Sequence, residues 1–194
     1  MSEHILCRQC GVLIQPLTAQ RTNGLCRPCN GGYRRSIEDS KRWNEEEKRY
    51  RESPVGRLRR TLAERAWKSP EAFRALTADE QSVVATAFLS GEIRGDGFQQ
   101  YFELITVERW NATVRCLEQI GADESLRILI EAKDVLFGSG ELTEAMLKKF
   151  QANPPLRLHR NVDSRLDELN RQFWEDRDGL DDRLDEFAES KLLN

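Results

Sequence analysis

Apolar residues recur along most of the chain at the three-to-four-residue interval of helices packing one face on a core. Residues 33–52 are the exception, being dense in Arg, Lys and Glu, with Glu45–Arg49 and Glu47–Arg51 spaced for i,i+4 pairing. That stretch predicts a solvated helix linking two domains. Ser53-Pro54 fits an N-cap followed by proline at the first helical position. Leu58 and Leu62 lie a turn apart, with Ala66 and Trp67 beyond, and Ser69-Pro70 opens a short helix carrying Phe73 and Leu76. Thr77-x-x-Glu80 is a capping box before Val83, Val84, Ala87 and Phe88, and Gly91 suits the stop. Gly95-Asp96-Gly97 predicts a turn before Phe98, Tyr101, Phe102 and Ile105.

Two further stripes follow: Val107, Trp110, Val114, Leu117 and Ile120, ended by Gly121; then Leu126, Leu129, Ile130, Leu136 and Phe137, capped by Asp123 and ended by Gly138. A short helix spans Leu142 to Phe150, and Asn153-Pro154-Pro155 breaks the chain. Leu166, Leu169, Phe173, Leu180, Leu184, Phe187 and Leu192 predict one long final helix, or two joined at Gly179. Nothing in this region alternates at period two for long enough to form a sheet. The expected fold is mainly α. A small module over residues 1–32, with room for two short strands, precedes a charged helical linker (33–52) and an all-α domain (53–194).

Four of the five cysteines fall in the first thirty residues, as Cys7-x-x-Cys10 and Cys26-x-x-Cys29. A pair two residues apart can turn both sulfurs toward one ion, and two such knuckles supply a tetrahedron of thiolates. Gly11 and Gly24 provide the backbone freedom these turns need. The spacing predicts a structural Zn²⁺ site with no open coordination position. Two disulfides conflict with a reducing cytoplasm, and a redox pair needs no second copy. Cys116, beside Val114 and Leu117, reads as a small buried hydrophobe.

Charge is unevenly spread. Residues 1–70 carry +7, residues 71–155 carry −6 and residues 156–194 carry −4, for a total of −3. The basic head, with Tyr33 and Trp43 available for stacking, leaves nucleic acid as a candidate partner; Glu38, Asp39 and Glu45 to Glu47 interrupt the run. In the acidic tail, Asp178, Asp181, Asp182, Asp185 and Glu189 share one face if the segment is a single helix, with Glu186 beside them. The plain reading is a solvated face opposite Leu180, Leu184 and Phe187. His4 and His159 sit in no metal or catalytic motif, and phosphate loops and nucleophile elbows are absent. The chain therefore reads as non-enzymatic. It also lacks an apolar run long enough to span a membrane and a secretion signal, which places it in the cytoplasm.

The stretch from Leu89 to Phe102, with Gly95-Asp96-Gly97-Phe98-Gln99-Gln100-Tyr101-Phe102, resembles the turn and helix of the DNA-mimic-protein family, a group of bacterial all-helical domains. Leu117 to Ala122 resembles that family's helix end, and Leu166 to Phe173 its late helix. The resemblance covers roughly residues 55–190. It implies an acidic domain presenting carboxylates where a duplex presents phosphates, and a protein partner such as a DNA-binding transcription regulator. The family's Asn-Gly is replaced here by Gly95-Asp96. The cysteine segment is similar to a small bacterial ribbon attached to varied partners. The expectation is a protein-interaction module whose partner-binding residues are Asp178, Asp181, Asp182, Asp185, Glu186 and Glu189. A nucleic-acid-binding regulator acting through the zinc module, and an immunity-type inhibitor of a toxin, are the rivals. The oligomeric state stays open, a homodimer included.

Overall fold

The structure is a computed structural model that describes residues 4–154 and 160–193, with the side chains of Arg160 and Asn161 left aside. The chain forms two compact units, Met1–Glu52 and Ser53–Asn194. His159 lies outside the described residues.

The first unit opens with a two-stranded antiparallel sheet, β1 (Ile5–Leu6) and β2 (Leu13–Ile14), pairing Ile5 with Ile14 and Leu6 with Leu13. Two short helices follow, α1 (Pro16–Arg21) and α2 (Arg27–Asn30), and then the 19-residue α3 (Arg34–Glu52). The buried cluster of this unit is Cys7, Ile14, Ala19, Cys26 and Cys29, so most of it is sulfur. Such a small apolar core cannot offset the entropy of ordering the chain. Helix α3 buries none of its side chains, as its charged composition predicts. Glu47 pairs with Arg51 at 2.8 Å, joined by Arg34–Glu38 and Arg42–Asp39; the Glu45–Arg49 pair is not formed.

The second unit contains nine helices among the described residues: α4 (Pro54–Ala66), α5 (Pro70–Arg74), α6 (Ala78–Gly95), α7 (Gly97–Leu104), α8 (Val107–Gln119), α9 (Asp123–Phe137), α10 (Glu144–Ala152), α11 (Arg160–Trp174) and α12 (Leu180–Leu192). Helix α6 is the axle, packing against α4, α7, α8, α11 and α12. It buries Ser82, Val83, Val84, Ala85, Thr86, Leu89, Ser90 and Ile93, which occupy most of its circumference. Small residues all round let neighbours approach from several sides, which is why its sequence shows little segregation of polar and apolar positions. The core is aromatic at its centre, with Phe98, Tyr101 and Phe102 fully buried. Phe102 makes ring contacts with Tyr101, Trp110 and Phe137.

The caps read from sequence at Ser53, Ser69 and Thr77 are formed, the last as a full capping box with Glu80. Gly91 does not stop α6: it is an exposed position through which the helix continues to Gly95. The turn before α7 is built on Gly97 (φ +85°), where a Cβ would meet the Asn170 side chain at 2.7 Å. Asn170 Oδ1 accepts the Phe98 N–H at 3.1 Å, so the close approach required of glycine also fastens α7 to α11. The final apolar run forms two helices, with Gly179 left-handed between them (φ 64°).

Candidate functional site

Within the first unit, the chain turns sharply after Cys7. Gly11 N–H donates to the Cys7 carbonyl and Cys7 N–H to the Val12 carbonyl, both at 2.9 Å, with Gly11 at φ +70°. This knuckle folds Cys10 back toward Cys7. The second knuckle is α2 itself, with Cys26 as N-cap residue and Cys29 one turn on. Arg8 N–H donates to the Gly24 carbonyl at 2.9 Å, which ties the two knuckles together. The four sulfurs all lie within 4.8 Å of one another, and Cys10 Sγ stands 3.7 Å from Cys26 Sγ. Four sulfurs about 2.3 Å from one ion stand about 3.8 Å apart in a tetrahedron, so the quartet has the dimensions of a thiolate cage and could hold a metal ion.

The electrostatics of the cage are uneven. Burial opposes ionisation of Cys7, but backbone N–H groups at Cys26, Cys10 and Gln9 outweigh it and pull the thiol down to about 6. The Cys26 N–H approaches Cys7 Sγ at 3.2 Å. Burial pushes Cys29 up, and its three sulfur neighbours push it further. Four thiols this close cannot all ionise without a compensating cation, which is the donor chemistry of a metal centre.

In the second unit, the acidic residues expected on one helix face divide into two groups. Asp178 is not on the final helix. It precedes Gly179, and its Oδ2 accepts the Ser125 N–H at 2.6 Å, which supplies α9 with the cap that sequence had assigned to Asp123. Asp181 is bound by Arg94 and Ser90, and by Arg59 at 3.5 Å. Asp185 pairs with Arg59 at 2.6 Å. These carboxylates fasten α12 to α4 and α6. Asp178, Asp181 and Asp185 thus do not stand on one open face with the rest: each is part-buried and engaged by a partner within the unit. Arg183, on the same helix, donates to the Ile120 and Gly121 carbonyls at the end of α8.

Asp182, Glu186 and Glu189 remain exposed on α12, at i, i+4 and i+7. Asp182 and Glu186 form no ion pair among the described residues. Glu186 borders an open groove of about 690 Å³ with Gln119, Ile120 and Phe187. The division between the two units also redistributes charge. Residues 1–52 carry ten Lys and Arg against seven Asp and Glu, giving +3, and residues 53–194 carry 20 against 26, giving −6. Five of the basic residues that had read as part of the head belong to the acidic unit, where Arg59 and Arg65 pair with Asp185 and Glu80.

An all-helical acidic domain with a surface carboxylate stripe, behind a small four-cysteine module, defines the class of this chain. The chain belongs to the DMP19-like protein family, whose model matches residues 74–191. The family takes its name from DNA mimic protein 19. The match begins after the cysteine module, so the module is an addition to the family domain. No curated protein and no solved structure matches the chain. No helix among the described residues is long and apolar enough to cross a membrane.

Proposed function

We propose that this chain is a non-enzymatic interaction protein whose helical unit presents carboxylates to the DNA-binding face of a protein partner, a transcription regulator being the class that fits. The observation that carries this reading is the series Asp182, Glu186 and Glu189, all exposed on α12. Successive members lie about 6 Å and 4.5 Å apart along the helix axis. Phosphates of one strand advance by about 3.4 Å each, so each step between carboxylates covers one to two phosphates. The −6 charge of the unit supports this local pattern with a field that would steer a basic partner. Residues 1–52 would fall from +3 to about +1 once four thiolates and one Zn²⁺ are counted, which gives little attraction for nucleic acid.

The quartet Cys7, Cys10, Cys26 and Cys29 holds Zn²⁺ in this reading. With all four positions filled by protein, the ion supplies a cross-link and no open site for chemistry. The working location would be the cytoplasm.

The test uses the full chain immobilised in lysate of its own host. DNA-binding proteins should be captured and released by competing duplex DNA. The triple variant Asp182→Asn/Glu186→Gln/Glu189→Gln should lose that capture while keeping its helical circular dichroism. Undiminished capture by the triple variant, or indifference to duplex, overturns the mimic.

A further inference from the structure

Among its described residues the second unit buries two cations, and it treats them differently. Lys133 is 5% exposed and fully engaged, bound to Asp134 and to the Gly138 and Gly140 carbonyls. Arg109 is 7% exposed and has no carboxylate partner among the described residues. Its guanidinium lies 3.9 Å from the Trp67 ring centroid and 4.5 Å from that of Phe73. Nη2 donates to the Ala66 carbonyl at the end of α4 at 3.1 Å, while Nη1 is buried without any hydrogen-bond partner. Aromatic faces and one carbonyl hold the cation in place but leave a donor unmet, which is expensive in a low-dielectric surrounding. Desolvation accordingly pulls the Arg109 pKa down. The adjacent carboxylate, Glu108, is turned to Arg74 instead, at 2.8 Å.

Beside this group lies a cavity of about 190 Å³ whose lining includes Arg109, Trp67, Phe73, Leu104, Thr106 and the carboxylate Glu108. Thr106 Oγ1 accepts the Arg109 backbone N–H at 3.3 Å as N-cap of α8, and a hydroxyl used that way still has its own O–H to donate. The cavity thus combines a buried guanidinium side chain whose unmet N–H lies just behind its wall, a hydroxyl donor, the positive end of the 13-residue α8, and largely apolar walls broken by Ser69 and by Glu108, which Arg74 neutralises.

We propose that this cavity is a binding site for a small carboxylate with an apolar body, its charged end on Arg109 and Thr106 and its body against Phe73, Pro70 and Leu104. The site is independent of the acidic stripe and of the metal centre. Trp67 and Leu104, 47% and 46% exposed, stand at its rim; because Nη1 is closed from solvent, its engagement by a ligand requires a side-chain shift there.

Calorimetric titration of the full chain with phenylacetate, beside the isosteric neutral phenylacetamide, tests this. One-site saturable binding of the acid, at least about tenfold tighter than the amide, is expected. Leu104→Trp fills the cavity from an exposed position and should abolish binding without unfolding the chain. Glu108→Gln removes a repelling charge at the rim and should tighten binding about threefold. Equal affinity for acid and amide, no saturable binding of the acid, or wild-type binding by Leu104→Trp each overturns the proposal.

Discussion

The two units reach order by different physics. In residues 1–52 the buried cluster is three cysteines with Ile14 and Ala19, and both strands are two residues long. In residues 53–194 a continuous aromatic and aliphatic core runs from Leu89 to Leu180 across most of the helices. With an ion in the cysteine quartet, as proposed, the first unit would concentrate its stability in one point of coordination, whereas the second spreads it over many contacts of modest strength. A concentrated design fails all at once when the point is removed; a distributed one degrades in increments. The comparison also explains why the same residue type plays opposite parts: Cys7 is held ready to ionise, whereas Cys116 is fully buried and its thiol is pushed up to about 11 by desolvation.

The largest effect should come from metal withdrawal. A strong chelator, or Cys26→Ala, should unfold the first unit, because coordination at such sites contributes about 10–16 kcal/mol and the remaining core cannot replace it. Hydrogen exchange should show residues 5–30 losing protection while α6 and α8 keep theirs; equal loss in both units would break the contrast. Next, Phe102→Ala should destabilise the second unit by about 3–5 kcal/mol in denaturant titration while leaving the metal content of the first unit unchanged. The smallest and sharpest comparison lies within the acidic tail. Asp178→Ala removes the cap of α9 and should cost about 1–2 kcal/mol, whereas Asp182→Asn and Glu186→Gln should stay within about 0.5 kcal/mol. If all three cost the same, the division of the tail into structural and surface carboxylates is wrong.

The legible features were those written in neighbouring residues. Two Cys-x-x-Cys pairs, the Thr77–Glu80 box and the apolar stripes of α8 and α9 state their structure within a few positions. What stayed hidden depended on residues far apart in sequence. Asp185 looked like surface charge because its partner, Arg59, lies 126 positions earlier. The cap of α9 comes from Asp178, 53 positions after the Ser125 it serves, so the adjacent Asp123 was the natural but mistaken choice. Gly91 read as a stop because glycine often ends helices; here the helix passes through it at the surface, where a missing side chain leaves no hole. Arg109 was invisible for the same reason as Asp185: only the meeting of α4, α5 and α8 places Trp67 and Phe73 over it.

The closure of the second unit by α12 has a consequence for how the protein is made. Leu180, Leu184 and Ala188 fill the core against α6, and Asp181 and Asp185 clasp Arg59 and Arg94. None of these contacts exists while the ribosome is still reading the preceding codons. The four cysteines, by contrast, emerge within a span of 23 residues and could gather the proposed ion early. Synthesis thus yields a finished head on an unfinished body. In the interval before the last helix arrives, the buried faces of α4 and α6 stand open to chaperones and to one another.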